Sequence, residues 1–474
     1  LWYYMDESLF VASTSQRWLA CAIGSFQPNE DALTWMLVTG SLGPAHAWDS
    51  RVQRLQPDCT LSLDIGNWET RLARADNTFA VIPGAAAARR EQLHCTLLGT
   101  FNDLDFDGSQ WVLPLSGGYD SRAILCMLPR REAMKTITWG TEASMANPAS
   151  DAAVARQLAS SLGASHEYFH TDLTKGSLAG VLEEFVACGE GRVDHISGYL
   201  DGFAIWKTLA RRRFAGIIRG DEGFGWLPVS SYDEARRSVG LMLWSDFGNL
   251  PKLEEVGLVP QAIPPDLHRR DGETPAQWRD RLYHEFRVPI ILAALTDLKA
   301  SFVEVANPLL SHSIIRLVRT LPDRMRTDKR LFREIVHEIG PPLPYATEMA
   351  IADSRSVLRT KEASELFLDI LGSNATRGIF HPLLLNCISG RIAIGSSAGG
   401  GGASRNRRAR LVGWFPKPVK LALRRFKRHW PMDFNVMALR VCIIGMTREL
   451  LQADAGLART QRHDEILVPD TSND

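Results

Sequence analysis

Two glycine-rich stretches of this 474-residue chain carry residue types that hold phosphate groups and metal ions. The first, SGGYDS at residues 116–121, lies between the apolar runs QWVLPL and RAILCML. Glycines without side chains let backbone N–H groups turn inward around an anion, and serine hydroxyls add donors. A helix that begins here directs the positive end of its dipole at the same place. The pattern predicts a phosphate-binding loop.

Asp120 extends this interpretation, because a carboxylate beside bare phosphate would be repelled. A Mg²⁺ ion between the two groups removes the conflict. The loop lacks the lysine and the spacing of GxxxxGK[ST], which disfavours a P-loop kinase or ATPase. A plain turn from strand to helix is the simpler alternative, but it needs one glycine at most.

The second stretch, RGDEGFGW at residues 219–226, presents the paired acids Asp221 and Glu222 among glycines, again after an apolar strand. Taken alone it is typical of a surface turn. If both stretches follow strands of one sheet, Asp120 and Asp221 come from neighbouring strand ends. The two carboxylates then share a Mg²⁺ that bridges nucleotide phosphates.

From about residue 80 the chain alternates strand-like and helix-like segments, which predicts an α/β fold with a doubly wound parallel sheet. The predicted strands are QWVLPL, MKTITWG, HEYFHT and FAGIIRG. Ligands of such sheets bind beyond the carboxyl ends of the strands, where both glycine-rich stretches lie.

Three parts are predicted along the chain: a small β-rich region at 1–78, the main α/β domain at 79–455 and a polar tail at 456–474. Residues 405–428 contain ten Lys or Arg and no acid. A surface for nucleic acid, membrane or an acidic peptide is one interpretation. A solvated linker followed by an amphipathic helix is favoured, since the chain has no overall basic bias.

Composition narrows the class of protein. The formal net charge is zero and 45% of residues are hydrophobic, so neither nucleic acid nor membrane is an expected partner. Seven scattered cysteines without a CxxC pair indicate reduced thiols and a cytoplasmic protein. The first residues do not form a signal peptide. The chain begins with Leu1, so either Met5 is the true start or the sequence is a fragment.

The motifs resemble those of a known family. SGGYDS looks like the SGGxDS pyrophosphate loop of ATP-pyrophosphatases, most closely the asparagine synthetase type, and RGDEGFGW resembles its acid-glycine loop. The segment that ends in Lys329 and Arg333 is similar to a late helical part of that family. Residues 1–75 look like the second half of its glutamine amidohydrolase domain, so that 1–78 is a partial domain of that type. The resemblance covers about residues 1–350.

The resemblance implies an ATP-dependent, AMP-forming amide ligase. Such enzymes use ATP and Mg²⁺ to adenylate a carboxylate, which an amine then attacks, releasing AMP. Carried onto this sequence, the metal ligands are Asp120 and Asp221, and the catalytic residues are these two with Glu222. The implied nucleotide-binding residues, with Leu115, Trp139 and Gly140 flanking the adenine, are Leu115, Ser116, Gly117, Gly118, Asp120, Ser121, Trp139, Gly140 and Gly220.

Two departures bear on the substrate. Ile218 stands where asparagine synthetases carry a glutamate, and PLPYATEMA at 342–350 has no lysine where the family has one. Asparagine synthesis from aspartate with glutamine or ammonia is the family default. The departures favour a relative that joins an amine and a carboxylate of one larger substrate, as lasso-peptide cyclases do with a precursor peptide and a partner protease. A non-catalytic nucleotide-binding protein is the second alternative.

Overall fold

The structure is a computed structural model that describes residues 1–75, 79–104, 106–171, 176–351, 354–393 and 430–466. The predicted glycine-rich loop near 396–406, the basic stretch at 405–428 and the last tail residues, 467–474, lie outside the described residues. Among the described helices, none combines the length and the apolar character needed to cross a bilayer.

The described strands are short and fall into a parallel group and an antiparallel group. They are β1 (Trp2–Met5), β2 (Phe10–Ser13), β3 (Gln53–Arg54), β4 (Cys59–Asp64), β5 (Glu69–Arg74), β6 (Trp111–Pro114), β7 (Lys135–Gly140), β8 (Ser165–His170), β9 (Gly216–Ile218) and β10 (Glu304–Ala306).

Helices make up most of the rest of the described chain. They are α1 (Gln16–Ile23), α2 (Glu30–Thr39), α3 (Ala86–Asn102), α4 (Asp120–Met127), α5 (Glu142–Ala146), α6 (Asp151–Ser161), α7 (Leu178–Gly189), α8 (Ala204–Arg211), α9 (Tyr232–Ser238), α10 (Pro275–Leu282), α11 (Ala293–Ala300), α12 (His312–Arg319), α13 (Asp323–Arg326), α14 (Arg330–Ile339), α15 (Ser354–Val357), α16 (Lys361–Gly372), α17 (Asn374–Arg377), α18 (Pro382–Ser389) and α19 (Phe434–Ile466). A π-helical segment, Tyr283–Leu292, joins α10 to α11, and Pro289 within it has no N–H to donate.

Five parallel strands form the central sheet, in the order β10-β9-β6-β7-β8, and helices flank it. The chain runs from β6 outward through β7 and β8, then returns to place β9 on the other side of β6. In β6 and β9, Val112 pairs with Ile217. The strand order therefore reverses between β6 and β9, which is where ligands bind in sheets of this kind. The predicted parallel sheet in an α/β fold is confirmed.

The N-terminal region contains a three-stranded antiparallel sheet, β2-β1-β3, and the separate hairpin β4-β5. The prediction of a strand-rich region is confirmed for these elements. Within this region SQRWLACAIG forms α1, because the Ser15 side chain accepts a hydrogen bond from the N–H of Trp18 and Gly24 ends the helix in the left-handed conformation.

Apolar residues of distant parts of the chain share one core. Leu37 in α2, Leu182 in α7, Trp206 in α8 and Ile443 in α19 belong to the same buried cluster. The N-terminal helices α1 and α2 therefore pack on the C-terminal helix α19. Helix α19 continues past residue 456 to Ile466, into the segment predicted as a polar tail.

Candidate active site

The two glycine-rich loops meet at the point where the strand order reverses. SGGYDS follows β6 and leads into α4, whose first residue is Asp120, while RGDEGFGW follows the neighbouring strand β9. A Cβ placed on Gly220 would lie 3.0 Å from the Cβ of Asp120. Glycine at this position therefore allows the second loop to pass directly beside the first carboxylate. The predicted adjacency of the two loops at neighbouring strand ends is confirmed.

Hydrogen bonds within the chain hold the SGGYDS loop. The Ser121 hydroxyl accepts from the N–H of Ser116 at 2.9 Å, and the Ser116 hydroxyl accepts from the N–H of Gly118 at 3.3 Å. The N–H of Gly117 donates to the Asp151 carboxylate at 3.1 Å. These three loop N–H groups are thus partnered by oxygens of this chain, whose positions mark where acceptor atoms fit.

Lys329 joins the two loops. Its Nζ lies 2.8 Å from a carboxylate oxygen of Asp120 and 2.9 Å from one of Glu222. The φ angles of Asp328 and Lys329 are 59° and 53°, an uncommon conformation for residues other than glycine. This left-handed pair of residues precedes α14 and directs the lysine back to the sheet edge. Such strained positions cluster at functional sites.

Burial and neighbouring charges shift the titration of this group. Burial raises the pKa of Asp120, against the opposing effect of Lys329, and the charge of Asp221 adds to the rise. Burial also raises the pKa of Glu222, to about 7, although Lys329 opposes it. Burial disfavours the ammonium form of Lys329, but the carboxylates of Glu222 and Asp120 outweigh it and raise its pKa. The carboxyl groups of Asp120, Asp221 and Glu222 therefore outnumber the single ammonium group of Lys329.

Asp221 has one oxygen bound and one free among the described residues. Its Oδ1 accepts from Arg219 at 3.0 Å, whereas its buried Oδ2 has no hydrogen-bond partner in the described part of the chain. An orphaned carboxylate oxygen next to Asp120 is a ligand atom that suits Mg²⁺. No cluster of three or more His, Cys, Asp or Glu suited to a metal occurs in the described ranges. The residues therefore fit a Mg²⁺ held by two carboxylates together with phosphate oxygens.

A cavity of about 390 Å³ opens at this edge of the sheet. Six of the residues predicted from sequence line it: Ser116, Asp120, Ser121, Trp139, Gly220 and Asp221. The other lining residues are Pro114, His195, Ser197, Gly198, Tyr199, Trp206, Ile217, Arg219, Leu295, Lys299 and Ile351.

Five predicted site residues are not among those that line the cavity. Leu115 is buried in a core cluster. Glu222 is 3% exposed, and its carboxylate forms an ion pair with Lys329 and accepts a hydrogen bond from the N–H of Phe224. Gly117, Gly118 and Gly140 complete this group. A Cβ on Gly117 would collide with Ala346, and one on Gly140 would collide with Ala350.

The segment at 343–351 thus packs over both strand ends. Arg122 fixes its start by donating to the carbonyl oxygens of Leu343 at 2.9 Å and Pro344 at 2.7 Å. The Tyr345 ring stacks on Tyr119, with ring centroids 3.9 Å apart. The lysine-free stretch PLPYATEMA therefore packs over the glycines at these two strand ends.

Sequence reasoning missed the residues of the cavity that come from other elements. Lys299 lies on α11, Tyr199 on a short 3₁₀ helix and Trp206 on α8. Lys299 follows Thr296 and Asp297 in LAALTDLKASF, and no local signal of the sequence marks it. His195 also lines the cavity, with Nδ1 3.2 Å from a carboxylate oxygen of Asp194.

Comparison of the chain with protein-family models and with curated proteins finds no match. Features of this chain alone therefore carry the functional assignment. They are the two acid-bearing loops at the reversal of strand order, the lysine that joins them and the cavity beside them.

Proposed function

We propose that this protein is an ATP-dependent ligase that adenylates a carboxylate and passes the acyl group to an amine, forming an amide and releasing AMP and pyrophosphate. The observation that carries the proposal is the meeting of SGGYDS and RGDEGFGW at the carboxyl ends of β6 and β9, beside one cavity. The proposed fold type is that of the ATP-pyrophosphatases, which the sheet order and the loop positions support.

The loop residues have distinct roles in this proposal. Ser116 and Ser121, which line the cavity, donate to phosphate oxygens, and the helix dipole at the start of α4 favours negative charge there. Asp120 and Asp221 hold Mg²⁺, which stabilises charge on the departing pyrophosphate. Lys329 keeps the carboxylate of Asp120 in place and adds positive charge near the same phosphates.

Asparagine synthesis is one form of this activity and macrolactam formation within a peptide is the other. The wall of the cavity favours the second form. Trp139, Tyr199, Trp206 and Leu295 surround the polar groups with apolar surface, which suits a peptide better than free aspartate. Ile218 points away from the cavity into a buried core cluster, so no acid–base group stands at that position.

The experiment supplies MgATP with a panel of three carboxylates: L-aspartate, L-glutamate and a synthetic peptide with a free amino terminus and an aspartate side chain. Ammonia, or the amino terminus of the peptide, is the amine. Release of AMP and pyrophosphate with at least one carboxylate is the expected result. ADP and phosphate as products, or no turnover with any member of the panel, would leave a nucleotide-binding protein without this chemistry.

A further inference from the structure

Lys299 is a buried lysine that lines the cavity. The adenylation chemistry described above does not use its side chain. It is 5% exposed, and it reaches the cavity from α11 rather than from either glycine-rich loop. Burying a lysine away from a carboxylate partner is unfavourable, so its presence among aromatic walls calls for a chemical reason.

The hydrogen bonds of Lys299 match a neutral amine. Its Nζ donates to the Tyr199 hydroxyl at 2.6 Å and to the carbonyl oxygen of Leu295 at 2.5 Å. A neutral amine has two N–H groups and one lone pair, so these two bonds use both N–H groups. Among the described residues no third acceptor bonds to Nζ, so nothing in the described part of the chain supports the third N–H of an ammonium group. The lone pair is therefore the bonding position that remains for a substrate proton.

The charges around Nζ also disfavour protonation. Burial lowers the pKa of Lys299 well below its ordinary value, and the Arg219 guanidinium acts in the same direction. The carboxylates of Asp221 and Asp297 oppose the effect without cancelling it. The rings of Tyr199 and Trp206, with centroids 5.2 Å and 5.5 Å from Nζ, complete the surroundings.

We infer that Lys299 is the general base that accepts the proton of the attacking amine in the second half-reaction. The inference rests on the proposed function, because it requires an acyl-adenylate in the cavity that Lys299 shares with Ser116 and Asp120. A lysine that is neutral at working pH suits this role.

The step balances as follows. The amine enters neutral, and its nitrogen forms the C–N bond while the bond between the acyl carbon and the phosphate oxygen breaks. AMP leaves with the electron pair of that bond. The proton from nitrogen passes to Nζ of Lys299, which becomes an ammonium group and later returns the proton to solvent.

The test separates the two half-reactions. Exchange of labelled pyrophosphate into ATP reports adenylation, which needs no amine, and formation of a hydroxamate from hydroxylamine reports amine attack. With the carboxylate panel, Lys299→Met is expected to keep its exchange rate within about twofold and to lose about 10²- to 10⁴-fold in hydroxamate formation. Lys299→Gln provides a second variant, and Lys361→Met, a surface lysine 79% exposed, is the matched control.

The pH profile gives a readout that a merely structural role would not move. Hydroxylamine is already neutral above about pH 7, so the wild-type profile reports the enzyme's own base, and the acid limb is expected to disappear in Lys299→Met. NMR of protein labelled with ¹³C at lysine Cε is expected to show one signal titrating well below the ordinary lysine range and missing from that variant.

The outcomes are distinguishable. Exchange in the wild type with undiminished hydroxamate formation in both Lys299 variants would overturn the role of Lys299 alone, as would an ordinary titration of its Cε signal. Absence of exchange in the wild type with every carboxylate would overturn the proposed function, and the role of Lys299 with it.

Discussion

Lys329 and Lys299 occupy the same site but stand in opposite surroundings. Lys329 lies between the carboxylates of Asp120 and Glu222, which raise its pKa, whereas Lys299 lies among aromatic rings and a backbone carbonyl, and its pKa is lowered. Burial disfavours the ammonium form of both lysines, and only Lys329 has carboxylate partners close enough to outweigh it. In the proposed function one lysine supplies a fixed positive charge for phosphates, and the other is the inferred base.

The largest effect is expected from a change at Asp120, the carboxylate that pairs with Lys329. Asp120→Asn keeps the shape of the side chain but removes the charge that pairs with Lys329 and that is proposed to hold Mg²⁺. AMP formation is expected to fall by about 10³-fold or more, because pyrophosphate leaves without charge stabilisation. AMP release from MgATP measures the effect. The exposed Asp271→Asn variant is the control, and activity of Asp120→Asn near the wild-type level would contradict the proposed role.

Removing the fixed charge has the next largest effect. Lys329→Met leaves Asp120 and Glu222 without their shared cation, and we expect the free energy of unfolding to fall by about 3 kcal/mol. Because Mg²⁺ is the alternative counter-ion, added Mg²⁺ is expected to recover part of that loss. Denaturant unfolding with and without Mg²⁺ measures both quantities. A loss no larger than that of Lys361→Met would show that the ion pair stabilises little.

Replacing Lys299 is expected to raise the free energy of unfolding, whereas replacing Lys329 lowers it. In the unfolded chain Lys299 binds a proton below about pH 10, whereas its lowered pKa keeps it neutral in the fold, so the wild type loses stability as pH falls from that value. Lys299→Met escapes this loss and is expected to be more stable than the wild type near pH 7. Its advantage shrinks by about 1.4 kcal/mol per pH unit as pH rises toward 10. Thermal unfolding at several pH values measures the gap, and a gap that does not vary with pH would contradict a neutral Lys299.

The smallest effect is expected from loss of the hydrogen bond between Lys299 and Tyr199. Tyr199→Phe removes an oxygen that accepts from Nζ of Lys299, so the ammonium form loses a partner. The pKa of Lys299 falls further, and the acid limb of the hydroxamate pH profile moves to lower pH. The rate on its plateau falls by about 3- to 10-fold through poorer positioning of Nζ. A shift to higher pH would contradict the bonding pattern.

The meeting of the two glycine-rich loops could be predicted from the sequence because its determinants are local. SGGYDS and RGDEGFGW each follow an apolar strand, and strands of a parallel sheet end at the same edge. Local signals also marked β6, β7, β8 and β9. Leu115 was carried into the site by the motif alone, and its side chain lies in the core.

The other side of the site could not be predicted, because tertiary packing assembles it. Tyr199 and Lys299 are 100 residues apart and meet through a hydrogen bond between their side chains. No periodicity of the sequence specifies such a contact. The same holds for Arg440, which donates to the carbonyl oxygens of Leu37 and Val38 across the interface of α2 and α19. Distant contacts of this kind are decided by the whole core rather than by a motif.

The most direct test of an acyl-adenylate follows an oxygen atom. A carboxylate that supports AMP release is labelled with ¹⁸O, and the products are analysed by mass spectrometry. Attack of the carboxylate on the α-phosphate transfers one labelled oxygen to AMP when the amine displaces it, so the account predicts AMP heavier by one ¹⁸O per turnover. Label in inorganic phosphate, or AMP without label, would contradict the central claim.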